Sequence, residues 1–210
     1  MLIESFVVGR LQANCYAIGD EKSREVLIID PGDNAPELLD RFRELKLRVT
    51  GVLATHSHLD HTGGLHELLE GLPEAEFYMH RDDYAGIAQQ APSAPAWYGH
   101  EVTPPREPDR YVDHGDTIEV GSVSLGILHC PGHTPGHICV SGDGAVFTGD
   151  VLFQGSIGRS DFPGSDGVAL LASIRDHLLT LPDETTVYSG HGPTTTIEQE
   201  RRHNPFLRQL

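Results

Sequence analysis

Four residues of metal-binding type fall within six consecutive positions of the chain: His56, His58, Asp60 and His61. In an extended segment, side chains two positions apart point to the same side, so His56 and His58 can bind one ion. The chain turns after them, which lets Asp60 and His61 face a second ion nearby. Because neutral imidazole is the commonest side-chain metal ligand, this segment predicts a metal centre. Ser57 is the spacer between two ligands, and we assign it no catalytic role.

One short segment cannot supply every ligand of two ions, so further ligands must come from elsewhere in the chain. His133, Asp150 and His191 each come shortly after a strand-like segment, and each has glycine directly before it. Glycine lets the backbone turn sharply and approach a neighbour closely, which presents the next side chain at the edge of a sheet. We therefore predict these three residues as additional ligands.

The elements that must position these residues alternate between strands and helices. Short apolar runs bounded by turn residues predict strands, and apolar residues at helical spacing predict helices. In the first half we predict strands over Leu2–Val8, Cys15–Ile18, Val26–Ile29, Val49–Thr55 and Ala75–Met79, and helices over Pro36–Leu47 and directly after Gly64. This order favours a layered α/β architecture, in which sites form where strands end.

The second half repeats the same plan. We predict strands over Thr117–Val120, Val123–His129, His137–Ser141, Ala145–Thr148 and Thr186–Tyr188, and helices over Val168–Leu179 and at the start of Glu198–Leu210. Between the halves, Ala91–Arg110 holds five of the 14 prolines and predicts a loop. That loop is either a surface excursion or a wall beside the site, as long loops often are.

Composition narrows the function classes. The chain has 31 acidic and 15 basic residues, a net charge of −16, which argues against a nucleic-acid partner. There is no run of 18 apolar residues and no secretory leader pattern, so we expect a cytoplasmic protein without a membrane partner. The three cysteines, Cys15, Cys130 and Cys139, form no C-x-x-C pattern. We expect them to be buried apolar residues and not a disulfide framework.

The motif His-x-His-x-Asp-His, followed by His133, Asp150 and His191, resembles the metallo-β-lactamase-fold superfamily over nearly the whole chain. It is especially similar to the short bacterial glyoxalase II-like enzymes, the hydroxyacylglutathione hydrolase family. The segments Leu128–His137, Gly149–Asp166 and Ser189–Leu207 carry that second similarity. The resemblance implies an α/β fold, a single domain over residues 1–210 built as a four-layer αββα sandwich, with metals at one sheet edge.

The resemblance also implies an assignment of ligands to two divalent ions. Zinc is the first expectation, and iron or manganese suit the same nitrogen and oxygen donors. No cysteine lies at a ligand position, whereas the main subclass of true β-lactamases has one where Asp150 stands, which argues against antibiotic hydrolysis. The first ion is assigned His56, His58 and His133, the second Asp60, His61 and His191, and Asp150 bridges both.

The implied reaction is attack of a metal-bound hydroxide on a small acyl thioester such as S-D-lactoylglutathione, with Asp60 and Asp150 also counted as catalytic. Arg159 lies nine positions after Asp150, where the family has a basic residue that contacts glutathione; an ion pair with Asp161 is the alternative. Longer members of the family add a C-terminal helical domain with further basic contacts. This chain ends at Leu210 without that domain. The sequence therefore supports a thioester substrate more strongly than it supports glutathione as the thiol of that thioester.

Several alternatives stay open at this point. Persulfide dioxygenases of the same superfamily carry a segment like Gly158–Phe162 and use one iron, at positions equivalent to His56, His133 and Asp150. A non-catalytic metal-binding module, a lactonase and a nuclease are further possibilities for the fold. We expect Asp30 to orient a ligand or cap a turn, and His137 to orient the loop that carries His133 or to be a buried structural residue, and neither to bind an ion. The oligomeric state is left open.

Overall fold

The structure is a computed structural model that describes residues 1–208 and shows a mixed α/β protein. Its contacts divide the chain into two units. The first comprises Met1–Val112 with Glu119–Ser124, and the second comprises Asp113–Ile118 with the chain from Leu125 onward. The predicted α/β fold class is confirmed, and each unit contains its own apolar core.

The first sheet has six strands in sequential order, β1 to β6. The first three strands pair antiparallel, and β3 to β6 pair parallel. Parallel neighbours end at the same edge, so the segments that follow β3, β4 and β5 leave the sheet together. The strands are β1 Leu2–Val8, β2 Ala13–Gly19, β3 Glu25–Ile29, β4 Arg48–Leu53, β5 Glu76–Met79 and β6 Arg110–Tyr111.

Five helices accompany this sheet. The predicted helices α1 and α3 are present, and each turns an apolar stripe into the core, with Leu38, Phe42, Leu65 and Leu68 fully or almost fully buried. Apolar residues at i, i+3 and i+4 predicted both helices from the sequence. The helices are α1 Ala35–Glu44, α2 Leu59–Thr62, α3 Leu65–Gly71, α4 Arg81–Gln90 and α5 Ala94–Tyr98.

The segment after β5 differs from its prediction. Helix α4 was not predicted, because only Ile87 is both apolar and fully buried and Gly86 interrupts the pattern. The loop predicted over Ala91–Arg110 is wrong at its start, where a short 3-10 turn, Ala91–Ser93, leads into α5. Pro92 and Pro95 do not break these helices since each lies in a first turn, where a missing N–H costs nothing.

The second sheet has the strand order β14-β13-β10-β9-β8-β7. Within it β10 and β13 are parallel neighbours, so the residues that follow them emerge at one edge. A separate hairpin is formed by β11 and β12. The strands are β7 Thr117–Val120, β8 Val123–His129, β9 Ile138–Gly142, β10 Ala145–Gly149, β11 Leu152–Phe153, β12 Ser156–Ile157, β13 Thr186–Ser189 and β14 Thr195–Thr196.

In the part of the second unit that the structure describes, two α-helices are present, α6 Gly167–Ser173 and α7 Ile197–His203. The predicted helix over Val168–Leu179 is present, but it continues from α6 as a π-helical turn, Ile174–Leu178. Leu170, Ile174 and Leu178 are fully buried along its inner side. The predicted tail helix is α7, and the last two residues of that prediction lie outside the described range.

No helix within residues 1–208 is long and apolar enough to cross a membrane.

Candidate metal centre

The loop after β4 brings four predicted ligands together in the first unit. His56 is fully buried, and its ring centroid lies 4.8 Å from that of His58 and 4.4 Å from that of His61. Asp60 and His61 lie in the single helical turn of α2, at the place where the sequence predicted that the chain turns. The Nε2 atom of His61 is 3.6 Å from Oδ2 of Asp60, which is too long for a hydrogen bond.

Asp30, at the end of β3, fixes the orientation of two of these rings. Its side chain is buried and accepts hydrogen bonds from the amide and the hydroxyl of Thr55, both at 2.7 Å. It also pairs with Nδ1 of His61 at 3.0 Å. A carboxylate only accepts, so Nδ1 of His61 carries the proton and its Nε2 keeps a lone pair for a metal.

The tautomer of His56 is set in a similar way. The Thr55 hydroxyl donates its proton to Asp30, so it must accept from Nδ1 of His56, 2.9 Å away. His56 therefore also keeps its Nε2 lone pair. Asp30, His56 and His61 are close enough to hold an ion among themselves. Three hydrogen bonds already occupy the Asp30 oxygens, so we assign Asp30 an orienting role.

A tyrosine from α5 borders Asp60. Burial raises the pKa of Tyr98, and the negative charges of Asp60 and Asp33 raise it further, while a hydrogen bond with the Asp60 backbone acts in the opposite direction. The neighbouring Trp97 is exposed. The sequence gives Tyr98 no role, because nothing in the local pattern indicates which distant turn its hydroxyl reaches.

The second unit brings the other three predicted ligands together around one carboxylate. Asp150 directly follows β10, and His191 follows the parallel neighbour β13. Oδ2 of Asp150 lies 3.7 Å from Nε2 of His133 and 3.9 Å from Nε2 of His191. The side chains of His133, Asp150 and His191 are 4%, 13% and 29% exposed, so solvent reaches this group from the side of His191.

Two further contacts orient this group. The Nδ1 atom of His133 lies 2.8 Å from the backbone oxygen of Arg159, which can only accept, so Nδ1 carries the proton and Nε2 of His133 is unprotonated. His137 is fully buried, and its Nε2 accepts the backbone N–H of Asp150 at 3.1 Å. His137 thus contacts the backbone of a predicted ligand. The backbone role of Arg159 was missed, since a carbonyl contact leaves no mark in the sequence.

The Arg159 side chain is exposed and makes a two-point ion pair with Asp161, at 2.9 and 3.0 Å. Its guanidinium also lies 4.0 Å from the centre of the Phe162 ring. The hydrogen bond from Arg159 lowers the pKa of Asp161. The ion pair that was the alternative to substrate contact is therefore present, and it leaves the guanidinium open to solvent.

Comparison with known proteins identifies the family. The profile of the Metallo-beta-lactamase superfamily matches residues 8–191. The chain belongs to this superfamily. The predicted superfamily is confirmed, and some of its relatives are named hydroxyacylglutathione hydrolases.

Three similar proteins illustrate the range within the superfamily. Hydroxyacylglutathione hydrolase GloC of Haemophilus influenzae is 40% identical over 210 residues, covering 99% of this chain and 98% of that protein. TTHA1623, solved in a di-iron-bound form, is 40% identical with a TM-score of 0.86, covering 97% and 100% of the two chains. A solved structure described as BLEG-1 B3 metallo-beta-lactamase is 32% identical with a TM-score of 0.86, covering 99% and 100%.

The imidazole and carboxylate groups of the candidate site suit divalent metal ions, which proteins of this superfamily bind. Within each unit, imidazole Nε2 and carboxylate oxygen atoms lie 3.6 to 3.9 Å apart, beyond hydrogen-bond range. Two ligands on a tetrahedral ion with bonds of about 2.0–2.1 Å lie roughly 3.4 Å apart, close to this spacing. In three of the rings, Nδ1 donates a hydrogen bond, so the tautomer leaves Nε2 able to bind a metal ion. Imidazole and carboxylate donors suit zinc, iron and manganese alike.

Proposed function

We propose that this protein is a metallohydrolase that cleaves a small acyl thioester such as S-D-lactoylglutathione. The observation that carries the proposal is the donor arrangement: in each unit a histidine whose tautomer leaves Nε2 unprotonated lies beside a carboxylate, His61 beside Asp60 and His133 beside Asp150. The similarity to a protein named hydroxyacylglutathione hydrolase supports the substrate class. The proposed ligands of two divalent ions are His56, His58, Asp60, His61, His133, Asp150 and His191.

When bound, divalent ions would lower the pKa of a coordinated water toward ~7 and stabilise negative charge on the carbonyl oxygen. The protein's own residues would hold these ions and orient the groups that bind them. Asp30 and Thr55 keep the His56 and His61 rings in the tautomer that can bind. The carboxylates of Asp60 and Asp150 are 16% and 13% exposed, so each can hold a proton of the attacking water in a site with little bulk solvent.

A thioester suits these residues because its leaving group needs no acid of its own. A thiol has an ordinary pKa of about 8.5, so a thiolate can depart near neutral pH. The proposal therefore requires neither a serine nor a cysteine nucleophile, and all three cysteines are buried. Arg159 is the proposed contact for an anionic part of the substrate, since its guanidinium is exposed beside the segment that orients His133.

A second candidate, a mono-iron persulfide dioxygenase, is favoured by one observation. The Gly158–Phe162 segment resembles that of those enzymes, and in it Arg159 pairs with Asp161 and packs on Phe162. A single iron would be held by His56, His133 and Asp150. The presence of Asp60, His61 and His191 in addition favours the two-metal hydrolase.

The discriminating experiment offers three substrates to one metal-loaded preparation. They are S-D-lactoylglutathione, glutathione persulfide with oxygen uptake recorded, and a chromogenic cephalosporin. We expect thioester hydrolysis to be the dominant activity. Asp60→Ala should abolish it, whereas Asp40→Ala, which removes an exposed carboxylate on α1, should not. Dominant oxygen uptake, or full hydrolysis by Asp60→Ala, would overturn the two-metal proposal.

A further inference from the structure

One face of helix α4 lies against the residue between two proposed ligands. Asp83, Gly86 and Gln90 are spaced at i, i+3 and i+7, so they share this face. All three contact Ser57, which separates His56 from His58. We call Asp83, Gly86 and Gln90 the α4 contact face. Neither the helix nor its contact with the ligand loop was predicted from the sequence.

The contact face engages both backbone groups of Ser57. Asp83 is 1% exposed, and its Oδ2 accepts the Ser57 N–H at 2.9 Å. Nε2 of Gln90 donates to the Ser57 carbonyl at 3.1 Å. With both the amide and the carbonyl held, the peptide planes that lead to His56 and His58 have fixed directions. Burying a carboxylate is costly, so its placement against the Ser57 amide is a specific feature of the fold.

Gly86 permits this close approach. A Cβ at position 86 would lie 2.6 Å from Oγ and 2.8 Å from Cβ of Ser57. Glycine within a helix costs about 1 kcal/mol relative to alanine, so helix formation alone does not account for it. The narrow space beside Ser57 accounts for the glycine, because no other residue lets α4 pack this close to Ser57.

We propose that the α4 contact face positions His56 and His58 for metal binding, by ordering their segment before an ion arrives. The inference rests on the proposed metal role of these two histidines. Ordering the loop in advance removes the entropy cost of fixing it during binding, so the contact face raises metal affinity. Asp83 is thus a positioning residue that acts through Ser57.

The test compares the metal affinity of metal-stripped variants, measured by competition with a chromophoric chelator for Zn²⁺. Asp83→Ala should lower affinity by about 10- to 100-fold, as changes to groups that orient ligands commonly do. Asp83→Asn keeps an acceptor for the Ser57 amide and should recover most of the loss. Asp82→Ala is the matched control, because it removes an exposed carboxylate from the same helical turn.

A second pair of variants tests the contact itself. Gly86→Ala should lower zinc affinity although alanine favours the helix, and adding Ser57→Gly removes the colliding atoms and should restore part of it. A purely structural role for Asp83 would lower the melting temperature of the metal-free protein and leave affinity unchanged. Affinity within two-fold of the parent in both Asp83→Ala and Gly86→Ala would overturn the inference.

The two proposals fail differently. If the parent protein binds none of Zn²⁺, Fe²⁺ and Mn²⁺, the proposed function fails, and the inference about the contact face fails with it. If the parent binds two ions and Asp83→Ala binds them equally well, only the contact-face inference fails.

Discussion

Replacing Asp30 with asparagine tests the orientation of the proposed ligands while keeping the shape of the side chain. In the parent, one Asp30 oxygen accepts the Thr55 amide, and the other accepts the Thr55 hydroxyl and Nδ1 of His61. In Asp30→Asn, an NH₂ group replaces one of these oxygens. If the remaining oxygen keeps the Thr55 amide, the NH₂ group faces the Nδ1 proton of His61. The ring then moves its proton to Nε2, the atom that must bind the ion.

The size of the effect follows from the bond that is lost. To bind an ion, His61 in the variant must return its proton to Nδ1 without the hydrogen bond to a charged acceptor that Asp30 provides in the parent, worth about 1.5–3 kcal/mol. That free energy corresponds to about a 10- to 150-fold loss of metal affinity. The Thr55 hydroxyl loses the same acceptor, so the orientation of His56 weakens too.

The assay is a titration of the metal-stripped protein with Zn²⁺ against a competing chelator, alongside circular dichroism to confirm the fold. Asp40→Asn, an exposed carboxylate on α1, is the control and should retain parental affinity. Asp30→Asn with both ions bound at parental affinity would refute the reasoning that the Asp30 carboxylate sets the tautomers.

Three other predictions follow from the second unit. Gly132→Ala should lower the free energy of unfolding by about 2 kcal/mol or more in urea titrations, since Gly132 has φ of +137° and an added Cβ would collide with the Leu170 backbone. Arg159→Ala should raise KM for S-D-lactoylglutathione with little change in kcat. The control Arg175→Ala removes another exposed arginine–aspartate pair and should leave KM unchanged. A KM in Arg159→Ala equal to that of the parent would show that Arg159 does not bind substrate. Burial, with the positive charges of His114 and His129, lowers the pKa of His177. The unfolded chain therefore takes up that proton first as the pH falls through about 6.5, so stability decreases with falling pH. In denaturant titrations between pH 7 and 5, His177→Gln should flatten this decrease, and an unchanged slope would contradict it.

Much of the fold could be predicted because the informative segments have simple periods. Strands β1, β7 and β8 have the predicted bounds, and α1 and α3 show clear apolar stripes. Helix α4 was missed because its packing depends on backbone contacts and on Gly86, which no hydrophobic period records. The proline-rich segment after it was misread, since proline is compatible with the first turn of a short helix.

The candidate site shows a similar division. The motif and its glycine-preceded partners indicated the proposed ligands, because spacing and strand ends are visible in a sequence. The contacts that orient them were less visible. The Arg159 carbonyl on His133, the Thr55 link between Asp30 and His56, and the hydrogen bond between Tyr98 and the Asp60 backbone all join distant segments, and two of the three use a backbone atom. Residue types alone cannot reveal such contacts.

The proposed mechanism requires two divalent ions for hydrolysis. It is tested most directly by adding Zn²⁺ stepwise to the metal-stripped protein while recording S-D-lactoylglutathione cleavage. We predict that activity continues to rise until two ions are bound per chain and then stops rising. Full activity at one ion per chain, or cleavage that persists without any metal, would contradict the account.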